Sequence, residues 1–165
     1  MAFVRSFCLF LAVHACAQSL QILPSPPGKR FGSFQIMLSA SGRQVAAFQW
    51  RLWISAGAAI TADGIATGLV ANARQKRLTC SPAAKRPGDG IRCVLAGGTA
   101  ALPDGSLAVV RFTAEPGVKS ATVKLTNVLG ATPDGRPVRF SDVEVSLPVV
   151  ALQVGAAPGD KIGFP

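Results

Sequence analysis

The sequence predicts an all-β fold, either a sandwich or a barrel. Apolar and polar residues alternate over short segments, as they do in strands that bury one face. Turn-forming Gly, Pro, Asp and Ser residues separate these segments at intervals of roughly eight to twelve residues, a spacing that is typical of β-sandwiches and β-barrels.

The folded part is expected to begin near Phe31, with a strand in GSFQIMLSA (residues 32–40). Its apolar positions alternate with positions expected to face away from the core. A Ser-Gly turn follows at residues 41 and 42. The inward set is Phe34, Ile36 and Leu38, and the outward set is Gln35, Met37 and Ser39.

The strongest strand signal lies in VAAFQWRLWIS, residues 45–55. Four large apolar side chains alternate there with three residues that face the other way. Burial of such a side chain contributes roughly 1.5 to 3 kcal/mol, so the apolar set defines the face towards the core. The inward set is Phe48, Trp50, Leu52 and Ile54, and the outward set is Gln49, Arg51 and Trp53.

Trp53 is out of phase with the other large apolar residues of this strand. One interpretation makes it a cross-strand partner or a residue covered by a loop. The other makes it an exposed flat ring for sugar stacking or partner contact.

Further short segments complete the predicted sheets. The alanine-rich stretch at 58–75 is compatible with a short helical turn, because Gly64 and Gly68 argue against a longer helix. The segments lie around Ile60 and at Gly68–Ala73, Arg77–Cys80, Ile91–Gly97, Leu107–Ala114, Ala121–Gly130 and Val138–Leu147.

The two ends of the chain are expected to lie outside this fold. Residues 1–17 carry a basic Arg5, a short apolar stretch and Ala-Cys-Ala, which predicts a secretory signal peptide cut before Gln18. Lipid attachment at Cys16 is the alternative. Residues 18–30, with three prolines, are predicted to be a linker or an irregular first edge, and residues 151–165 a flexible tail. The length suits one domain at 31–150, and no segment is long enough for a transmembrane helix.

Cys80 and Cys93 are the two cysteines that remain after removal of the predicted signal peptide. In an oxidising compartment they are expected to form one disulfide that closes a Pro- and Gly-rich loop. A zinc site is the weaker alternative, because the only histidine, His14, lies in the signal peptide. The lack of another histidine also excludes Ser-His-Asp and Cys-His catalysis from the mature chain.

Eight carboxylates remain for acid–base chemistry. Asp104 and Asp134 stand in two Pro-Asp-Gly sequences, where turn geometry accounts for them. Asp142 and Glu144, two apart on a predicted strand, form the one pair compatible with glycoside hydrolysis, a remote alternative. We expect no enzyme activity, no cofactor and no metal site.

The net charge of +9 is spread along the chain apart from clusters at 73–77 and 84–86. This charge is compatible with the binding of nucleic acid. However, no nucleic-acid-binding motif accompanies it, and we expect no such partner. The alternative is a solvated basic surface that favours anionic polymers or cell-envelope material.

Three segments together resemble the cohesin domain, a jelly-roll β-sandwich of about nine strands that is related to carbohydrate-binding modules. They are residues 34–54, where a polar turn joins two strands, residues 102–117, where a Gly turn precedes a strand of small and β-branched residues, and residues 121–147, a closing hairpin. The resemblance covers about Phe31 to Val150. Ile54-Ser55 stands where cohesins commonly have Tyr-Asp, and the loop between the cysteines is similar to disulfide-bearing cohesin-like proteins outside cellulosomes.

The resemblance implies an exported, non-catalytic binding module, with a dockerin-type protein or a polysaccharide as partner and polysaccharide breakdown as the setting. A carbohydrate-binding module and a structural envelope component are the alternatives. We expect a secreted monomer, with periplasmic or cell-surface retention left open. The candidate contact residues are Arg77 and Arg92, implied by the position of the partner face in cohesins, and Trp53, Arg51 and Gln49 on the long strand.

Overall fold

A computed structural model describes residues 18–25, 32–83 and 90–149. The predicted signal peptide with Cys16, and the predicted tail at 151–165, lie outside these residues. The described residues form eleven strands, one short α-helix and a 3₁₀ turn at Ala62–Gly64. The elements are β1 (Ser19–Pro24), β2 (Gly32–Ser39), β3 (Ala47–Ile54), β4 (Ala58–Ala59), β5 (Ile65–Thr67), α1 (Leu69–Ala73), β6 (Arg77–Pro82), β7 (Ile91–Ala96), β8 (Gly105–Ala114), β9 (Ser120–Ala131), β10 (Pro137–Arg139) and β11 (Val143–Pro148).

The strands form two antiparallel sheets, which confirms the predicted sandwich. The five-stranded sheet runs β1-β2-β8, and both β4 and β5 pair with the far edge of β8. The six-stranded sheet runs β6-β7-β3-β9, and β10 and β11 share the outer edge of β9. Long β8 and β9 therefore organise one sheet each.

The hydrophobic core is drawn from both sheets. Phe34 and Ile36 of β2 and Trp50 and Leu52 of β3 are almost fully buried, as is Val110 of β8. The alternation predicted for residues 32–40 and 45–55 is confirmed, because the inward residues are those that the apolar pattern marks. Period-two alternation places these side chains on the inner faces of the sheets.

The sandwich begins earlier than the sequence predicts. A linker or irregular edge was expected at 18–30, but Ser19–Pro24 pair in regular antiparallel register with Phe34–Ser39. These residues are therefore not a linker: they form the edge strand of the five-stranded sheet, but a regular one, in which Leu20 and Ile22 alternate and are buried. The strand signal in the sequence is weak, because only two apolar residues alternate there and three prolines lie nearby. Proline is tolerated at the end of an edge strand such as β1, where no ladder hydrogen bond needs its N–H.

The segment Gly68–Ala73 is helical, which agrees with the helical turn that the sequence allowed and not with a strand. Helix α1 has only five residues, and one of them, Ala71, is fully buried. The Gly68 N–H donates a hydrogen bond to the Leu107 carbonyl of β8, which fixes the start of the helix against the five-stranded sheet.

Cys80 and Cys93 form the predicted disulfide. They are direct partners in the β6–β7 ladder, with Cα atoms 4.1 Å apart. Cys93 is fully buried and Cys80 packs against the core, so the bond ties edge strand β6 to the sheet from its inner face.

The Pro-Asp-Gly turns are architectural, as predicted. The Asp104 carboxylate accepts a hydrogen bond from the Ala40 N–H at 2.6 Å, which joins the start of β8 to the end of β2. The Asp134 carboxylate accepts a hydrogen bond from the Thr132 hydroxyl and pairs with Arg136 at 2.8 Å. Gly105 and Gly135 both have positive φ, 137° and 84°, which glycine adopts without strain.

Candidate binding face

The outer face of the six-stranded sheet carries all five contact residues that the sequence predicts. On β3 the outward residues alternate with buried Phe48, Trp50 and Leu52. On β6 and β7 the outward residues alternate with inward side chains, which include the two cysteines of the disulfide. The five predicted contact residues are Gln49, Arg51, Trp53, Arg77 and Arg92. We call this surface the β3–β7 face.

Arg51 and Arg92 lie directly opposite each other on neighbouring strands β3 and β7. Side chains at such positions have Cβ atoms about 4.5 to 5.5 Å apart. Among the described residues the ion pairs are Lys124–Glu144 and Arg136–Asp134, so neither guanidinium has a described carboxylate as partner. The sheet therefore holds two adjacent positive charges that it does not neutralise with those residues.

A β-bulge in β9 lies beside this pair. Gln49 pairs with Leu129 and Arg51 with Thr126, so Trp50 faces two residues of β9, Asn127 and Val128. Asn127 adopts a left-handed conformation with φ 52°. Bulges of this kind change the direction of side chains along a strand.

The Asp142 carboxylate holds the bulge from the opposite edge of β9. Its Oδ1 accepts a hydrogen bond from the Asn127 N–H at 3.1 Å. The bond reaches across the gap between β10 and β11, where β9 has no strand partner on that side. Asp142 thus takes the place of a ladder acceptor.

A shallow depression of about 310 Å³ lies between the arginine pair and the bulge. The residues that line it include two arginines and two residues with side-chain amides, all of which carry hydrogen-bond donors. Its lining residues are Gln49, Trp50, Arg51, Arg92 and Asn127.

Trp53 is a cross-strand partner, the first of its two interpretations. It pairs in register with Lys124, whose Nζ lies 5.7 Å from the centre of the indole ring. The same Nζ forms an ion pair with Glu144 Oε2 at 3.0 Å. The ring is half-buried and its partner is a cation, a cation–π arrangement that covers part of its surface.

The structure brings some of the predicted residues together and separates others. Gln49, Arg51 and Arg92 surround one depression. Arg77 pairs with Ala96, four residues along β7 from Arg92, which places it about 13 Å away at the rise of a strand.

Several further polar residues of this face were not predicted. Lys124, Asn127 and Arg139 lie on β9 and β10, and Arg139 pairs with Leu129 in the cross-strand row of Gln49. Alternation within residues 121–130 could have placed Lys124 outward. The bulge at Asn127 breaks that alternation, and the position of Arg139 depends on strand pairing.

The carboxylates predicted as a remote catalytic pair are engaged in other interactions. Asp142 precedes β11 rather than lying on it, which corrects the prediction of one shared strand. Its Oδ1 accepts the bulge hydrogen bond, and Glu144 pairs with Lys124. In the 3₁₀ turn between β4 and β5, a hydrogen bond with the Thr61 side chain holds the pKa of exposed Asp63 below its usual value. No cluster of three metal-ligating His, Cys, Asp or Glu side chains occurs within the described ranges.

The helix found at 69–73 is far too short to cross a membrane, and the described part of the chain contains no other helix that could.

The architecture defines a β-sandwich of the cohesin type. A non-cellulosomal cohesin from the hyperthermophilic archaeon Archaeoglobus fulgidus superimposes with a TM-score of 0.59 at 14% identity, covering 82% of this chain and 94% of that one. A cohesin module from a family 33 glycoside hydrolase of Clostridium perfringens gives 0.58 at 16% identity, with 79% and 95% covered. A type I cohesin–dockerin complex from Clostridium thermocellum gives 0.57 at 9% identity, with 78% and 92% covered. The chain thus has a cohesin-like fold.

The likeness lies in the fold and not in the sequence. No protein-family model matches the chain, and no curated protein matches it.

Proposed function

We propose that this protein is a non-catalytic protein-binding module that binds its partner through the β3–β7 face. The observation that carries the proposal is the shared fold with cohesins, two of which were solved as cohesin–dockerin complexes from Clostridium thermocellum. A dockerin-type protein is accordingly the class of partner that we propose.

The chemistry of the β3–β7 face supports a protein partner. Val94 of β7 is 40% exposed and lies in the same cross-strand row as Gln49 and half-buried Leu129. Arginine is enriched at protein interfaces, and the aliphatic groups beside it add apolar area, which is characteristic of interface cores. A sugar platform is less favoured, because the tryptophan of this face is paired with Lys124.

We propose further that the protein is exported and acts as a monomer in the breakdown of polysaccharides. Export rests on the signal-peptide pattern of residues 1–17 and is supported by the disulfide, since disulfides persist in oxidising compartments. The polysaccharide setting rests on the cohesin-like fold alone.

The test is a pull-down with the oxidised protein against the secreted proteins of its own organism. Two variants are matched for charge and strand context: Val94→Asp on the β3–β7 face, and Val109→Asp on the outer face of the five-stranded sheet. We expect Val94→Asp to lose capture of a specific protein that Val109→Asp and the unmodified protein retain.

Equal loss in both variants, or capture unchanged in both, would exclude this face as the binding surface. A glycan array run with the same three proteins tests the carbohydrate-binding alternative. Glycan binding without specific protein capture would replace the proposed function.

A further inference from the structure

We infer that the Arg51–Arg92 pair is a carboxylate-binding site that receives an acidic side chain, Asp or Glu, of the protein partner. The inference rests on the proposed function and names the chemistry of the partner. It begins from the register of β3 and β7, which sets the two arginines face to face on the outer side of the sheet.

Two like charges directly opposite each other destabilise a sheet. Arginine cannot relieve the repulsion by losing its proton, because its guanidinium stays charged in proteins. Within the described residues no carboxylate pairs with either group. An external anion would remove the repulsion and gain hydrogen bonds from both side chains.

The depression beside the pair has the donors that a carboxylate needs. Guanidinium groups bind carboxylates through two parallel N–H···O bonds, which are shorter and stronger than neutral hydrogen bonds. Gln49 and Asn127 border the same space and add amide donors. The Asp142 hydrogen bond to the Asn127 backbone fixes the bulge and thereby this wall of the depression.

The charge of the surrounding surface favours an acidic segment over a single anion. Arg77, Lys124 and Arg139 lie on the same face. Of the carboxylates described beside them, Glu144 is paired with Lys124, and Asp142 accepts the hydrogen bond of the Asn127 N–H. The outer face of the five-stranded sheet differs, because Arg111 is the one charged side chain among the outward residues of β2 and β8. A basic face of this kind attracts acidic partners and speeds their association.

The neighbouring aliphatic side chains favour a peptide over an acidic polysaccharide. Val94 and Leu129 flank Gln49 in the row next to the arginines. A peptide that alternates acidic and aliphatic residues can contact the guanidinium groups and these aliphatic groups together, whereas a uronic-acid chain offers no aliphatic side chain.

The experiment is an NMR titration of the full protein with a blocked Glu-Val-Glu-Leu-Glu peptide and with its Gln-Val-Gln-Leu-Gln counterpart. We expect the acidic peptide to shift the side-chain Nε–H signals of Arg51 and Arg92 and the backbone amide of Asn127. The neutral peptide should bind at least about tenfold more weakly, since charge-assisted hydrogen bonds are the stronger class. Equal affinity for the two peptides would overturn the inference.

Variants with equal loss of charge separate this site from general electrostatics. Arg51→Gln with Arg92→Gln should weaken acidic-peptide binding about tenfold, while Arg77→Gln with Arg111→Gln should change it less than about threefold. The first variant should also keep its thermal stability, because it removes a like-charge pair. Equal weakening by the two double variants would contradict a specific site.

A third titration with tetragalacturonate tests the polysaccharide source of carboxylates. Tighter binding of the uronate at the same residues would overturn the assignment to a protein partner. The pull-down distinguishes the two proposals. A captured protein that the Arg51→Gln, Arg92→Gln variant still binds would overturn the inference and leave the proposed function standing. Acidic-peptide binding at the pair without capture of a specific protein would overturn the proposed function and leave the pair as a carboxylate-binding site.

Discussion

The Asp142 side chain accepts a hydrogen bond from the backbone N–H of Asn127, the left-handed residue of the β9 bulge. The bond joins the turn between β10 and β11 to β9, the long strand next to the edge of the six-stranded sheet. It gives Asp142 a structural role at the border of the arginine depression. The predicted interpretation as one member of a catalytic carboxylate pair finds no support in this arrangement.

Asp142→Ala should lower the free energy of unfolding by about 1 kcal/mol, because the bulge N–H loses its acceptor. Asp142→Asn should retain most of that stability, since its side-chain oxygen can still accept the bond. Urea unfolding measures both values, and amide exchange at Asn127 should be faster in the Ala variant alone.

Glu144→Ala is the control, because it removes an exposed ion pair worth about 0.2 to 1 kcal/mol and leaves the Asn127 N–H with its acceptor, so amide exchange at Asn127 should not change. The Ala and Asn variants of Asp142 carry the same charge, so weaker acidic-peptide binding by the Ala variant would come from the loosened bulge. Identical stability of these two variants would show that the hydrogen bond does not hold the bulge.

Gly105→Ala should destabilise the protein more than Gly135→Ala. Both glycines have positive φ, so each substitution costs about 1 kcal/mol or more in backbone strain. A Cβ on Gly105 would also lie 2.6 Å from Val70 Cγ1, whereas one on Gly135 meets open space. Thermal or urea unfolding should place the Gly105 variant about 1 kcal/mol below the other.

Val70→Ala provides the matching test of the contact in this prediction. In the Gly105→Ala background it should recover part of the loss, because it removes the methyl group that the new Cβ meets. Strictly additive effects of the two substitutions would mean that the helix and the turn do not meet as described.

Removal of the Cys80–Cys93 bond should cost about 3 kcal/mol in the free energy of unfolding. The two cysteines are 13 residues apart, and the bond restricts the loop between them in the unfolded chain. Reduction of the unmodified protein should lower its melting temperature, while the Cys80→Ala, Cys93→Ala variant should be insensitive to reductant. Reduction isolates the effect of the bond better than the alanine variant does. Cys93 is fully buried, and reduction changes no side-chain volume in the core, whereas substitution by alanine does.

Lys76→Met should cost about 1 to 3 kcal/mol, because it leaves two backbone carbonyls without their donor. Lys76 is 4% exposed, and its Nζ donates hydrogen bonds to the carbonyls of Gly97 and Gly98 at 2.6 and 3.1 Å. These bonds tie the segment after α1 to the turn after β7. Lys119→Met, at an exposed position, should change stability by less than about 0.5 kcal/mol.

The same lysine predicts a dependence of stability on pH. Burial, assisted by the nearby charge of Arg74, lowers the pKa of Lys76 below the 10.5 of an unfolded chain. Between the lowered pKa and 10.5 the unfolded chain binds more protons, so stability rises with pH in that interval. The stability of the unmodified protein relative to Lys76→Met should therefore increase as the pH approaches 10.5. A falling difference would mean that the two carbonyls raise the pKa instead.

Some of the β3–β7 face could be predicted from the sequence. Alternation around Trp50 is enough to place Gln49, Arg51 and Trp53 on the outward side of the same strand, because successive side chains of a strand point to opposite faces. The same rule makes Arg77 and Arg92 outward residues once Cys80 and Cys93 are known to point inward. The strand at 19–24 was missed because its apolar pattern has only two residues, Leu20 and Ile22.

Pairing across strands could not be predicted in the same way. That Arg51 meets Arg92, and that Trp53 meets Lys124, depends on the register between segments far apart in the chain. Asn127 and Asp142 are joined through a bulge, which interrupts the alternation from which register could have been guessed.

The sequence by itself determined the all-β class, the pairing of Cys80 with Cys93 and the architectural role of the Pro-Asp-Gly turns. These follow from local rules, namely two-residue alternation, the conformations that Asp and Gly adopt in turns, and the pairing of two remaining cysteines. Only the tertiary structure decided which outward residues lie together. Register and the β9 bulge bring Gln49, Arg51, Arg92 and Asn127 around one depression, and they leave Arg77 apart and Trp53 beneath a lysine. The physical reason is that a strand fixes the side on which a residue lies, whereas packing of the whole sandwich fixes its neighbours.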